Sequence, residues 1–139
     1  IILTKGLPAS GKSTWAKKLL AEEPGKWKRV NKDDLRTMID NGEWSYTNEK
    51  FVMLARDQII SIALTRGFNV IVDDTNLSSK HEKRIKEFEK LFLCKVEVKD
   101  FTNVPLATCL ERDKKREASV GEKVIIGMYN QFLKPHKAS

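Results

Sequence analysis

The chain has 139 residues, of which 40% are hydrophobic and 32% charged, and its formal net charge is +7 at pH 7. This composition excludes a disordered chain, and no apolar run is long enough for a membrane span. Two cysteines, Cys94 and Cys109, are too few for a disulfide framework or a cysteine metal site. We therefore expect buried free thiols, a reducing cytoplasm, no membrane partner and an anionic ligand.

The chain begins at Ile1, directly in a predicted strand and without a methionine. We expect one domain over residues 1–139, trimmed at its N-terminus or cut from a larger protein.

A phosphate-binding motif lies between the first two predicted elements, a buried strand over residues 1–5 and a helix over Ser13–Glu22. Residues 6–13 match G-x-x-x-x-G-K-[ST], whose glycines let backbone N–H groups turn toward phosphate oxygens. The following helix adds the positive end of its dipole. We expect Lys12 to reach the β- and γ-phosphates of a nucleotide and the Ser13 hydroxyl to bind Mg²⁺. The residues expected to line this site are Gly6, Pro8, Ala9, Ser10, Gly11, Lys12, Ser13 and Thr14.

A strand over Trp27–Asn31 and a short helix ending near Asn41 come next. After a polar loop over Glu43–Thr47, apolar residues at spacings of three and four predict a long helix that stops at Gly67. Trp44, in that loop, is expected either to pack or to stack on a nucleobase. The side chains predicted to be buried on the long helix are Phe51, Leu54, Ala55, Ile59, Ile62 and Ala63.

Asp33, Asp34 and Arg36 stand at the start of the short helix. One of the two aspartates is expected to cap the helix, and the other is a candidate general base for phosphoryl transfer. Arg36 follows Asp33 by three residues and shares its helix face. It either clamps a phosphate of the acceptor or pairs with Asp33.

A third strand, Asn69–Val72, is apolar over its last three positions and runs into the sequence DDTN. Asp74 either supports Mg²⁺ at the end of this strand or closes an Asx-type turn, and the two roles are compatible. Thr75 and Asn76 offer a hydroxyl and an amide toward the same space.

The C-terminal half continues the alternation of helix and strand. Ser79 and Glu82 have the spacing of a capping box at the start of a helix. Cys94–Phe101 alternates apolar and charged residues, which predicts a strand near a sheet edge. A helix begins at Asn103–Pro105, and a last one extends through Leu133.

A basic stretch, Arg112–Gly121, separates these last two helices. Arg112 and Arg116, four residues apart on one helix face, would repel each other unless an anion such as a triphosphate lies between them. The alternative is a solvated basic surface. His81 and His136 are isolated and are assigned neither to a metal nor to catalysis.

This order of elements predicts an α/β fold with a central parallel sheet of about four strands, helices on both faces and a basic lid. Ligands of such sheets bind beyond the carboxyl ends of the strands. The phosphate motif, both aspartate pairs and the lid are therefore expected to converge on one site.

Together these motifs resemble the 5′-hydroxyl polynucleotide kinase domain of phage T4-type end-healing enzymes. The resemblance covers nearly the whole chain, through GLPASGKSTWAKK, NKDDLR, DDTN and LERDKKREASVGEKVIIGMY. It implies a P-loop kinase fold, ATP with Mg²⁺ as the donor, and the 5′-OH end of DNA or RNA as the acceptor. The chain departs from the family at Lys32, where an arginine is usual, and at Gly121, where a proline is usual. Whether phosphatase or ligase modules flank these residues in the full protein is left open by the sequence.

On the donor side, the resemblance implies that Arg112 and Arg116 are lid arginines on the donor phosphates, and that Val120 and Val124 lie against the donor base. On the acceptor side, it implies that Asp33 is the general base and that Arg36 holds the first internucleotide phosphate. Asp74 and Thr75 match the acid and the hydroxyl of the family's third motif. The catalytic set is then Lys12, Asp33, Arg36 and Arg116. The acceptor-binding set is Lys32, Asp33, Arg36, Asp74, Thr75 and Asn76, and the metal set is Ser13 and Asp74.

Two other functions are compatible with these motifs. One is a P-loop kinase that acts on a nucleoside, a nucleotide or a metabolite. The other is an NTP-hydrolysing switch module. The preference for DNA or RNA, the donor base and the oligomeric state are left open by the sequence.

Overall fold

The structure is a computed structural model that describes residues 1–117 and 119–135. His136 lies outside the described residues. The strands are β1 (Ile2–Lys5), β2 (Trp27–Val30), β3 (Asn69–Val72) and β4 (Glu97–Asp100). The α-helices are α1 (Lys12–Glu22), α2 (Lys32–Asp40), α3 (Tyr46–Thr65), α4 (Ser79–Phe92), α5 (Leu106–Lys114) and α6 (Glu122–Met128), and α6 continues into a π-helical segment, Tyr129–Leu133.

The four strands form one parallel sheet in the order β2-β3-β1-β4, flanked by helices, which confirms the predicted fold class. β1 is central, so Leu3 pairs with Val72 of β3 on one side and with Val98 of β4 on the other. The carboxyl ends of β2, β3 and β1 are therefore consecutive along one edge of the sheet. This order brings the segments after these three strands together.

β4 lies at the sheet edge, as its alternating pattern predicts, but it is shorter than predicted. Cys94 precedes the strand and is only partly buried, whereas Cys109 on α5 is fully buried. Both cysteines are free thiols.

Two apolar clusters stabilise the sheet and its helices. The larger joins the strands to α3 and α4, with Leu3, Val72, Ile60, Ile85 and Phe88 among its buried members. The smaller lies under α5 and α6. Over the part of the chain that the structure describes, no helix is both long and apolar enough to cross a membrane.

The buried face of α3 differs from the predicted one. Val52, Arg56, Ile60 and Ala63 face the core. Of the predicted set only Ala63 is buried, while Phe51, Leu54 and Ile62 are each about 60% exposed. Both the predicted and the observed buried residues have helical spacing. The pattern of apolar residues does not predict the observed face, because that face includes Arg56.

The helix caps also differ from the predicted ones. The N-cap of α2 is Asn31, whose side chain accepts the N–H of Asp34, so neither Asp33 nor Asp34 caps this helix. The N-cap of α4 is Ser78, not Ser79, and its side chain makes no cap hydrogen bond. The predicted capping box of Ser79 and Glu82 is therefore not formed.

The orientation of α3 can be tested by a matched pair of substitutions. Ile60→Ala removes a fully buried side chain and is expected to lower the free energy of unfolding by about 3 kcal/mol. Ile62→Ala, two residues further at a position 59% exposed, is expected to change it by less than about 0.5 kcal/mol. Urea unfolding of both variants measures the difference, and equal losses would contradict the observed orientation.

Candidate active site

The phosphate loop connects β1 to α1 and has a tightly constrained backbone. Ala9 and Gly11 both have positive φ angles, 63° and 103°. Gly6 is required by a close approach, because a Cβ atom there would lie 2.8 Å from both Phe101 Cβ and Ser10 Oγ. The loop therefore presents backbone N–H groups rather than side chains, as anion binding requires.

Lys12 is buried inside this loop, with 7% of its surface exposed. Its amine donates hydrogen bonds to the Leu7 carbonyl and to Ser10 Oγ. Burial lowers the pKa of Lys12 to about 8, and the charge of Arg116 adds to this effect while Asp73 and Asp74 oppose it. An anion in the loop would favour the charged form of the amine, so anion binding and the protonation of Lys12 are linked.

A buried seam of hydrogen bonds joins the phosphate loop to the segment after β3. The Gly6 N–H donates to the Thr75 carbonyl at 3.0 Å, and the Thr4 hydroxyl donates to the Asp74 carbonyl at 3.0 Å. The Asn76 amide donates to the Thr4 carbonyl at 2.8 Å. This amide is used within the fold, and its contact with an acceptor stays a prediction, as does that of the half-buried Thr75.

Arg29 of β2 links three parts of the site and was not singled out from the sequence. Its guanidinium donates to Asp73 at 2.7 Å, to Asp34 at 2.8 Å and to Ser13 Oγ at 3.4 Å. Burial opposes the charge of Arg29, but the hydrogen bonds with Asp34 and Asp73 raise its pKa. The only signal in the sequence is a basic residue just before the end of a strand.

The proposed metal set consists of Ser13, in the first turn of α1, and Asp74, in the loop after β3. Asp74 is 8% exposed, and its Oδ1 accepts the Lys32 N–H at 2.8 Å. Its Oδ2 is buried and has no hydrogen-bond partner among the described residues. A hydroxyl and a carboxylate are ligand types that Mg²⁺ accepts, but Ser13 Oγ faces Arg29 and Asp74 Oδ2 faces Arg56 at 3.8 Å, so the ion would have to replace these cations. Binding of the ion by these two residues stays a prediction.

Arg36 of α2 is held by two carboxylates. Its Nε and Nη2 donate to the two oxygens of Glu49 on α3 at 2.8 and 2.6 Å, and its Nη1 donates to Asp33. The Glu49 hydrogen bonds raise the pKa of Arg36, and in turn the pKa of Glu49 is lowered. The carboxylate of Asp33 itself is 81% exposed. Arg36 thus pairs with Asp33, which is one of the two alternatives predicted for it. Arg36 is also held by Glu49, a residue that the sequence motifs do not single out.

Asp74 connects the donor side to the acceptor side. Its charge acts on Lys12, on Arg36 and on Lys32, whose pKa is lowered by burial. Burial also raises the pKa of Asp74, against the opposing effects of the Lys32 N–H and of nearby cations. One carboxylate therefore lies within electrostatic reach of the phosphate loop and of α2.

Arg56 supports Asp74 from within the core. It is fully buried on α3, donates to Asp57 at 3.1 Å, and brings its Nη1 within 3.8 Å of Asp74 Oδ2. Neither of these last two atoms has a hydrogen-bond partner among the described residues. Burial and the charges of Lys32 and Arg56 lower the pKa of His81 to about 4, so His81 is neutral at pH 7.

Asp113 of α5 organises the lid, a role that the motifs do not predict. It is 3% exposed and accepts the N–H groups of Val120 and Gly121, each at 3.0 Å. Burial opposes its ionisation, but these hydrogen bonds and the charge of Arg116 lower the pKa of Asp113. Val120 and Gly121, just before α6, are therefore tied back to α5.

The two lid arginines lie near the phosphate loop. A Cβ on Gly11 would lie 3.8 Å from Arg112 Nη1, and the charge of Arg116 acts on Lys12. Val120 is partly buried and Val124 is 46% exposed. The structure thus brings these arginines to the donor side, while the contacts of all four residues with a nucleotide stay predictions.

The sheet order and this site define a P-loop domain of the kinase type. A family model described as an AAA domain (AAA_33) matches residues 1–135. The chain therefore belongs to this AAA domain family.

Several known proteins are similar to this chain. L-seryl-tRNA(Sec) kinase of Methanococcus maripaludis is 30% identical over 97% of this chain and 53% of its own length. The structure of the Pnkp1/Rnl/Hen1 RNA repair complex has a TM-score of 0.80 and 26% identity, covering 94% of this chain and 43% of that one. Chaetomium thermophilum Kti12 in complex with ADP-AlF3 has a TM-score of 0.67 and 19% identity, covering 97% and 81%, and is similar in fold alone. The chain spans about half the length of the first two.

The lowered pKa of Lys12 predicts how nucleotide affinity depends on pH. The amine is charged below about pH 8 and loses its proton above it, so ATP binding should weaken as the pH rises through 8. The loss should approach about tenfold for each further pH unit if only the charged amine binds. Titrations with ATP between pH 7 and 9.5 measure this. Lys12→Arg, which stays charged, should show no such decline, and a flat profile for the unmodified protein would contradict the prediction.

Arg56→Met is expected to destabilise the protein, because it leaves the Asp74 carboxylate buried beside an apolar side chain. The expected loss is about 3 kcal/mol of unfolding free energy at pH 7. Since burial already raises the pKa of Asp74, the loss should shrink as the pH falls and the carboxylate takes up a proton. Urea unfolding of Arg56→Met, Asp74→Asn and the double variant measures the coupling, and strictly additive losses would show that the two residues do not interact.

Proposed function

We propose that this chain is a kinase domain that transfers the γ-phosphoryl group of ATP to the 5′-OH end of DNA or RNA. The observation that carries the proposal is the position of Asp74, which is bonded on one side to the end of β1, through the Thr4 hydroxyl at 3.0 Å, and on the other to the start of α2, through the Lys32 N–H at 2.8 Å. The phosphate loop, which would hold the donor phosphates, and α2, where Arg36 would hold the acceptor phosphate, would thus lie on opposite sides of the Asp74 carboxylate. The motif resemblance to T4-type polynucleotide kinases supports the same arrangement.

On the donor side, the backbone N–H groups of the phosphate loop would hold the β- and γ-phosphates. Lys12, Arg112 and Arg116 would balance the charge that develops on the transferred group, whose transition state needs positioning and neutralisation more than covalent help. Mg²⁺, with Ser13 and Asp74 as its proposed protein ligands, would supply further neutralisation between the phosphates. Val120 and Val124 would contact the donor base.

On the acceptor side, Asp33 would accept the proton of the 5′-OH as this oxygen attacks the γ-phosphorus. The carboxylate is largely exposed and, among the described residues, accepts a hydrogen bond from Arg36 Nη1, so it is open to an incoming hydroxyl. Arg36, fixed in turn by Glu49, would hold the first internucleotide phosphate, with Lys32 beside it. Binding of a strand would therefore compete with Asp33 for one edge of the Arg36 guanidinium.

A second candidate acceptor is the hydroxyl of an amino acid carried by tRNA. It is favoured by the 30% identity with an L-seryl-tRNA(Sec) kinase over 97% of this chain. Both acceptors join a hydroxyl to a polyanion, so both fit the same cationic groups and the net charge of +7. A small-molecule kinase and an NTP-hydrolysing switch are the further alternatives.

An assay of label transfer from γ-labelled ATP distinguishes these candidate functions. The acceptors are a 5′-OH oligonucleotide, the same strand with a 5′-phosphate, a free nucleoside and seryl-tRNA. We expect label on the 5′-OH strand alone, with an acceptor KM that rises with salt concentration. Label on seryl-tRNA or on the nucleoside alone, or free phosphate without transfer, would replace the proposal with the corresponding alternative.

Substitutions on α2 assign the roles of the acceptor residues. Asp33→Asn is expected to lower kcat on the order of 10²–10⁴-fold with little change in ATP affinity. Arg36→Lys keeps the charge but loses the forked contact, so it should raise the acceptor KM more than the ATP KM. Glu22→Gln, at the exposed end of α1, is the matched control and should change neither. A weaker ATP affinity with an unchanged acceptor KM in Arg36→Lys would contradict the assignment.

A further inference from the structure

A pocket of about 400 Å³ lies on the surface between the first half of α3 and α4. Its lining residues are Tyr46, Glu49, Lys50, Met53, Leu54 and Arg84. Tyr46 and Leu54 are 81% and 60% exposed and line the pocket together with Met53, so they form a contiguous apolar surface. Among the residues that the structure describes, the pocket lining includes neither the phosphate loop nor the lid.

An aromatic pair stands at one end of the pocket. The rings of Trp44 and Tyr46 lie 5.0 Å apart in an edge-to-face arrangement with an interplanar angle of 64°. Trp44 is 57% exposed, so the pair has free aromatic surface. Exposed aromatic faces of this kind stack unpaired nucleobases, and such stacking tolerates any base.

The pocket is continuous with the proposed acceptor site through Glu49. This residue lines the pocket, and both oxygens of its carboxylate accept hydrogen bonds from Arg36. An acceptor strand held by Arg36 at its first internucleotide phosphate would therefore have its next nucleotides beside the pocket.

The charges around the pocket suit a polyanion. Lys50 and Arg84 flank its apolar floor, and Arg84 is fixed by Asp57 at 2.8 Å. Apolar and aromatic surface for bases, bordered by cations for phosphates, is the combination found in single-strand binding sites. A volume of about 400 Å³ is enough for a nucleobase.

We propose that this pocket, with Trp44 and Tyr46, binds an unpaired base of the acceptor strand inside its 5′ end. The inference rests on the proposed function and deepens it, because it makes a single-stranded end, longer than one nucleotide, the preferred acceptor. The occupant is the acceptor strand, because Glu49 lines the pocket and also holds Arg36, the residue proposed to bind that strand.

The test compares a nucleoside 3′-phosphate with a single-stranded 5′-OH hexanucleotide as acceptors. In the unmodified protein the hexanucleotide should have the lower KM. The variants Trp44→Ala, Tyr46→Ala and Leu54→Ala should each raise the KM for the hexanucleotide about tenfold, within the range measured for base stacking. They should leave the KM values for the nucleoside 3′-phosphate and for ATP unchanged. Leu91→Ala, at an apolar position of α4 that is 75% exposed, is the matched control and should change none of these values.

A second measurement separates failure of the pocket from failure of the proposed function. The affinity for a fluorescent single-stranded hexanucleotide is measured by anisotropy, without ATP, for the same variants. If the strand binds and the pocket variants weaken binding while no 5′-OH is phosphorylated, the base site stands and the proposed reaction fails. If 5′-OH ends are phosphorylated but the pocket variants alter neither KM nor affinity, the inference is overturned. A change in oligomeric state instead of affinity would likewise overturn it, because the surface would then be a protein interface.

Discussion

The site depends on the buried hydrogen-bonded seam between the end of β1 and the segment after β3. Gly6 N–H, the Thr4 hydroxyl and the Asn76 amide each bond a backbone carbonyl across it. These groups lie in the interior, where an unpaired polar group would be costly, so the two loops cannot easily move apart. The lack of a side chain at Gly6 permits the same loop to pack against Phe101. Lys12 and Asp74 are thereby held near each other before any ligand arrives.

Around this seam the charged side chains alternate in sign. Arg29 lies between Asp73 and Asp34, and Arg36 lies between Asp33 and Glu49. These pairs keep cations partly buried without leaving them uncompensated. They also mean that anions entering the site exchange existing partners for new ones. The arrangement is pre-organised for phosphate groups, since its cations are positioned by protein carboxylates.

The family and fold explain the donor half of the site better than the acceptor half. The strand order β2-β3-β1-β4 places the phosphate loop beside the segment that follows β3. The α2–α3 region adds Asp33, Arg36 and Glu49, together with an exposed apolar surface on α3. If the proposed function holds, substrate choice is expected to reside in α2 and α3 rather than in the phosphate loop.

The sequence by itself determined the alternating α/β order, the phosphate loop and the four strands, because these depend on local spacing and on apolar runs. It also predicted that the charged segments after β1, β2 and β3 lie together, since parallel topology requires it. Only the tertiary structure decided that α3 buries Arg56, that Glu49 grips Arg36 and that Asp113 fixes the lid. The contacts of Arg56, Glu49 and Asp113 each join a charged side chain to a partner in another part of the fold. Hydrophobic periodicity carries no information about them, because a buried charge is acceptable only when the fold supplies its partner.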